Sequence, residues 1–491
     1  MEWTREMRYR PYQDYSAMDL LKLQRQAGSS PYQLHYHIHP ASGLLNDPNG
    51  FNFFNHEWHV SYQNFPFGAV HGLKSWMHMS STDLVHWQPR GMVLTPDTQY
   101  DSHGAYSGSA LAKDGHLFLM YTGNHRDKDW TRTPYQLGAW MDKKGQVEKL
   151  KQPLFSKPTN ISEHFRDPQL LEHNGHYYAI LGAQTADDEA GHIDLWESDQ
   201  LEDGWHEVGL VQISQYQMGY MVECPNLVFV DDHAVMIFCP QGLNKQVSDY
   251  QNIYPNMYLI GDNFDFDHAA LINSSNTPVN LDYGFDVYAS QAFNAPDGRA
   301  YVISWVGLPD TTYPTDDENW ANCLSQVKEL HIRDGQLYQQ PVEAMRTLRI
   351  ESKRYEFAGT LPMMPEPLSQ QYELAMTIEK KQTGTLHLLG SQDGKHSLAL
   401  HFDTKQGQLV IDRDQVGQPV ATDHGTTRTI QLPEQQNLKL HIYIDHSLAE
   451  IFINDGAQVA TLRYFADQNN NRIYFNQPTK VQGSLWPLSN M

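Results

Sequence analysis

NDPNGFNFFNHEWHVSYQNF, residues 46–65, opens on turn-forming residues, runs through an apolar strand, breaks at Asn55-His56 and resumes as a second aromatic strand. The same unit returns four times: YSGSALAKDGHLFLMYTGN from Tyr106, FRDPQLLEHNGHYYAILGAQ from Phe165, ECPNLVFVDDHAVMIFCPQG from Glu223 and DVYASQAFNAPDGRAYVISWVG from Asp286. The breaks at Asp114-Gly115, Asn174-Gly175, Asp231-Asp232 and Asp297-Gly298 are residue types that hairpin turns favour. The starts lie about 60 residues apart, and long helical periodicity is almost absent. Radial repetition of small sheets is the signature of a propeller, here with five blades.

The texture changes after Val342. PVEAMRTLRI (341–350) reads as a short helix and FAGTLPMMPEPL (357–368) as a Pro-rich linker. Beyond it, YELAMTI (372–378), SLALHF (397–402), KLHIYID (439–445) and AEIFIND (449–455) alternate with period two. Short alternating strands separated by turns predict a β-sandwich. The expected fold class is therefore all-β, with a propeller domain over 1–350 and a C-terminal sandwich over 351–491. A short amphipathic helix is expected over roughly 16–27.

The 491 residues hold 35 basic and 58 acidic side chains, a net charge of −23. That balance argues against nucleic acid or an anionic membrane as partner, while a phosphorylated small molecule needs only a local basic pocket. Three cysteines, Cys224, Cys239 and Cys323, form no CxxC spacing and point to no disulfide framework. The first residues lack the apolar core of a signal peptide, and no run approaches the ~20 apolar residues of a membrane span. A cytoplasmic protein is expected.

In a propeller, residues that open the repeat in different blades converge on the central channel. Asp47, Asp167 and Glu223 occupy such positions in blades one, three and four. Like charges at close range push one carboxyl pKa upward, which suits a general acid near neutral pH. One ionised and one protonated carboxyl is the apparatus of glycoside hydrolysis.

The motifs HPASGLLNDPNGF (39–51), FGAVHGLKSWMHMSSTDLVHW (67–87), YSGSA (106–110), FRDPQ (165–169), ECPNL (223–227), PQGL (240–243), LDYGFDVYASQAF (281–293), SWVG (304–307) and AEIFINDG (449–456) together resemble glycoside hydrolase family 32. The resemblance covers nearly the whole chain and implies the same five-bladed propeller and sandwich. It implies a retaining β-fructofuranosidase acting on sucrose or sucrose 6-phosphate, with no cofactor and no metal. Asp47 would be the nucleophile, Glu223 the acid/base and Asp167 the transition-state stabiliser. Asn46, Gln63, Trp76, Ser107, Arg166 and Trp305 would form the sugar-binding shell. Leu44-Leu45 before NDPNG resembles the bacterial intracellular branch, the sucrose-6-phosphate hydrolases. Where the family often has Pro-Arg-Glu-Leu, this chain reads Ser325-Gln326-Val327-Lys328-Glu329-Leu330, so the usual Arg contact is replaced at most by the point charge of Lys328.

Short fructo-oligosaccharides are further candidate substrates, and an exo-acting fructan hydrolase is the alternative within the family. An inverting propeller glycosidase would use three carboxylates but has no need of NDPNG. A non-catalytic sugar-binding propeller would usually have lost one carboxylate, and none is lost here. The alternation His35, His37, His39 would place three imidazoles on one face of a strand, yet the chemistry calls for no metal there and packing is expected. Cys224 is expected to pack beside Glu223 rather than to react. Oligomeric state and phosphate preference are open at this level.

Overall fold

Asn55 and His56 both take positive φ (50° and 66°), as do Asp114-Gly115, Asn174-Gly175 and Asp231-Asp232. Two consecutive left-handed residues make the turn whose twist matches the flanking strands. The computed structural model describes residues 2–364, 366–367 and 369–491. Each hairpin joins the first two strands of a blade. The five inner strands are Gly43–Phe54, Ala105–Lys113, Ile161–His173, Met221–Val230 and Val287–Asn294. They stand side by side in a closed ring, each heading its own antiparallel sheet.

The ring is sealed by chain from inside blade five. Trp320 and Ala321 pair in parallel with Gly43 and Leu44, adding a strand to blade one. Gly43 (φ 74°) must be glycine, because a Cβ would fall 1.9 Å from the Phe65 carbonyl oxygen.

Every inner strand breaks register at the same depth. The skipped residues include Tyr106-Ser107, Asp167-Pro168, Cys224-Pro225 and Ala289-Ser290, with Asp47 skipped in blade one. Asp167, Cys224 and Ala289 sit there at φ 67°, 48° and 45°. Such bulges re-aim side chains, here into the channel. Just beyond them, polar side chains bond the next blade's backbone. Asn49 Oδ1 accepts from Gly108 N, Ser109 Oγ from Leu170 N, Gln169 Oε1 from Leu227 N and Asn226 Oδ1 from Ala292 N. Gln291 closes the circle, accepting from Phe51 N at 2.7 Å and donating to the Gly108 carbonyl at 2.9 Å. These bonds replace ladder bonds that the bulges forfeit.

The C-terminal strands form one sheet that curls into two layers around a core of Leu374, Leu388, Leu400, Ile411, Ile442, Ile451 and Phe475. The layers share the 16-residue strand Arg472–Pro487. The segment read as a linker is largely a strand instead. Tyr355–Met363 pairs along that same long strand, in a register that depends on residues more than 100 positions away. Pro365 and Leu368 of that segment lie outside the described residues. PVEAMRTLRI contains a 3₁₀ helix, Glu343–Leu348.

The N-terminal helix spans Ala17–Gly28, started by a reciprocal Ser16–Asp19 capping box. The chain then crosses to the sandwich. Residues 35–39 are not a strand, and the three imidazoles part company. His37 is held between Asp445 (2.9 Å) and Glu450 (3.0 Å), His35 Nδ1 meets Asn490 Oδ1, and His39 turns to the Pro40 carbonyl. Lys328 points to the same place, 3.3 Å from Glu450, and so supplies its charge to the domain junction and not to the channel.

Candidate active site

Asp47 enters the channel from the bulge of blade one. Its Oδ1 accepts from Asn46 Nδ2 at 3.0 Å, and its Oδ2 from Gln63 Nε2 at 3.1 Å and Ser107 Oγ at 2.5 Å. Lys74, 3 % exposed, donates to Asn46 Oδ1 and holds that amide in place. Behind the loop, Gly50 (φ 61°) leaves room for Trp76, whose ring would stand 3.4 Å from a Cβ there.

Asp167 enters from the bulge of blade three. Its amide donates to Thr122 Oγ1, and its Oδ2 accepts from Cys224 N, both at 3.1 Å. Cys224 stands between two carboxylates, its Sγ 3.8 Å from Asp47 Oδ2 and 3.6 Å from Asp167 Oδ2. Burial, with those two charges, drives its thiol well above the ordinary range, so it serves as a packed weak donor.

Glu223 is the last paired residue before the bulge of blade four, opposite Cys239. By register it matches Arg166, and Cys224 matches Asp167, so the third carboxylate reaches the channel from one position earlier than the other two. Its Oε1 accepts from Arg166 Nε at 3.0 Å and Nη2 at 2.7 Å. Its Oε2 accepts from Gln241 Nε2 at 2.7 Å and Tyr288 Oη at 2.6 Å. Arg166 also lies 3.9 Å from Asp167, so one guanidinium spans two of the three acids.

Burial raises the Asp47 carboxyl; Ser107 and Asn46 oppose it, while Glu223 adds repulsion. Burial carries Asp167 to about 7, with Arg166 opposing and the charges of Glu223 and Asp47 assisting. Glu223 goes the other way. Burial pushes it up, but Arg166 and then the Tyr288 hydroxyl outweigh that and leave it below the usual glutamate range. Mutual repulsion alone would elevate Glu223; the bidentate arginine reverses the sign. In the free site the elevated acids are Asp167 and Asp47, not Glu223.

Six shell residues were expected. Asn46, Gln63, Ser107 and Arg166 touch the carboxylates directly. Trp305 lies buried at the wall, its ring 6.1 Å from both Tyr288 and His71, and its N–H has no partner among the described residues. Trp76 is corrected to a core residue: fully buried, it gives its N–H to the Tyr106 carbonyl at 2.9 Å and packs with Phe54, Leu119 and Tyr121. Sequence reasoning missed Lys74, His164, Gln241 and Tyr288 as site residues. Gln241 and Tyr288 belong to PQGL and DVYASQAF, so the motifs flagged their stretches without their partners.

Family comparisons divide the chain in two. The description "Glycosyl hydrolases family 32 N-terminal domain" matches residues 37–341, and "Glycosyl hydrolases family 32 C terminal" matches 341–487. A sucrose-6-phosphate hydrolase of Pediococcus pentosaceus is 45% identical over 488 residues, 99% of this chain and 96% of that protein. One from Streptococcus mutans is also 45% identical, over 99% of this chain and all of its own. The solved structure of sucrose-6-phosphate hydrolase from Lactobacillus gasseri superposes with a TM-score of 0.97 at 54% identity, covering 100% of both chains.

Proposed function

We propose, from the premise that the chain belongs to glycosyl hydrolase family 32, that it hydrolyses the β-fructofuranosyl bond of sucrose or sucrose 6-phosphate with retention. The observation that carries this reading is the meeting of three carboxyls from three blades, Asp167 buried and Asp47 and Glu223 half-buried, each with its own donors. Asp47, the carboxylate without a cationic grip of its own, attacks the fructosyl anomeric carbon. Glu223 gives a proton to the departing glycosidic oxygen. In the second half, Glu223 takes a proton from water as that water attacks the same carbon and frees Asp47. Asp167 accepts hydrogen bonds from fructose hydroxyls.

Those hydroxyls favour the Asp167 anion. The three acids titrate as a set, so a sugar that stabilises the Asp167 anion favours protonation of Glu223. Catalysis is assigned to 1–350, with 351–491 supplying stability. No helix among the described residues is long and apolar enough to cross a membrane. Three buried free thiols suit a reducing, cytoplasmic setting.

The test is Asp47→Asn with sucrose. Turnover should fall at least 10⁴-fold while fructose binding survives, and the wild type should give product of retained configuration in an NMR time course. An inverted first product would remove Asp47 from the role of nucleophile.

A further inference from the structure

Among the described residues, Arg126 and Arg132 form no ion pair, in a chain of net charge −23. They face each other as the last pair between the second and third strands of blade two, His116–Arg126 and Arg132–Met141, so their side chains share one face. Like charges directly opposed across a ladder are destabilising. Both are half-buried, and both Nε atoms are buried without a partner. The loop that joins them is stiffened: Arg126 donates to the Trp130 carbonyl at 2.8 Å, and the Trp130 ring is flanked by Arg5 and Arg126.

That face leads straight to the carboxylates. Thr122 and Gln136 are directly paired on it. Thr122 Oγ1 accepts from Asp167 N, and Gln136 donates to the Phe165 carbonyl. Four residues outward, about 13 Å along a strand, the same face ends in Arg126 and Arg132. His164 of blade three stands at the same mouth, its Nδ1 accepting from Arg166 Nη1 at 3.0 Å. Burial, then Arg166 and Arg132, hold His164 at about 4. Glu163 is the carboxylate that attracts Arg132, but it is exposed and makes no ion pair with it.

We propose that Arg126 and Arg132 bind the phosphate of a 6-phosphorylated leaving-group sugar. Guanidinium forks match phosphate oxygens bidentately, and a dianion relieves the repulsion between the two arginines. The inference rests on the reading of Glu223 as the acid that faces the leaving group. It makes the phosphate ester the preferred substrate and places selectivity on blade two.

Arg132→Ala and Arg126→Ala should each lower kcat/KM for sucrose 6-phosphate at least 30-fold more than for sucrose, with Arg132→Lys recovering part of the loss. Glucose 6-phosphate should inhibit sucrose hydrolysis at least 10-fold less well in Arg132→Ala, while inhibition by glucose stays as it was. Equal losses on both substrates, or undiminished inhibition by glucose 6-phosphate, would overturn the assignment. A wild type inert on both sugars would refute the hydrolase reading instead. Calorimetry of glucose 6-phosphate on wild type and Arg132→Ala would then still decide the phosphate site, equal affinities counting against it.

Discussion

Arg166 grips a single oxygen of Glu223 with two nitrogens, at 3.0 and 2.7 Å. The grip orients the proposed acid/base and also holds its pKa below the usual glutamate range in the free protein, the opposite of what proton donation needs. Removing it should therefore act on pH dependence as well as on rate. Arg166→Gln should raise the Glu223 pKa and carry the alkaline limb of the kcat/KM profile upward. It should also cost about 10²–10³-fold in kcat through lost orientation, some 3–4 kcal/mol of barrier. A profile that drops in height without moving would mean that Arg166 does not set the protonation of Glu223.

Glu223→Gln keeps the contacts of the side chain but cannot release a proton. On sucrose, kcat should fall by roughly 10²–10⁴-fold. A fructosyl donor with a good leaving group needs little protonation, so its fructosylation step should suffer far less. Pre-steady-state measurement of that step for both donors checks the assignment, and equal losses would exclude Glu223 as the acid.

Trp76 tests the boundary between core and site. Trp76→Phe leaves the half-buried Tyr106 carbonyl without its donor, which should destabilise the fold by about 1–3 kcal/mol. KM for sucrose should stay within twofold. Urea unfolding and steady-state kinetics on one preparation separate the two; a raised KM at unchanged stability would return Trp76 to the sugar shell.

His37 predicts how the domain junction responds to pH. Burial alone would lower it, but the hydrogen bonds it donates to Asp445 and Glu450 more than compensate and hold it at about 9. Glu450 is held at about 2 by Lys328 and His37 against its burial. A histidine held above its free value gives stability that is full below about 6.5 and lost as pH rises through about 9. A carboxylate held low gives stability present above about 4.5 and lost as pH falls toward about 2. Stability from this pair should thus plateau between about pH 4.5 and 6.5. His37→Gln should cost about 3–5 kcal/mol there and should flatten the alkaline decline seen in urea titrations from pH 6 to pH 9.5.

The repeat was legible because hairpin turns and period-two strands are local. Asn174-Gly175 and Asp114-Gly115 announce their turns without help from the rest of the chain. Asp47 and Asp167 were legible for a related reason, since both sit in the bulge that opens the repeat. Glu223 only looked equivalent. It is one residue earlier in register, and its electrostatics depend on Arg166 from another blade, which no spacing within ECPNL encodes. The strand Tyr355–Met363 was hidden by its composition, because prolines suggest a linker and its partner is the far end of the chain. Trp76 failed as a sugar contact for a similar reason: its strand faces the gap between blades, and the pairing that decides this is tertiary.

The parallel pairing of Gly43 and Leu44 with Trp320 and Ala321 also orders the birth of the molecule. During synthesis, the Gly43-Leu44 edge waits for 277 further residues, from Gly43 to Trp320, before it is covered. Until then the edge offers unpaired backbone to any neighbouring nascent strand, the situation in which misassembly competes with folding.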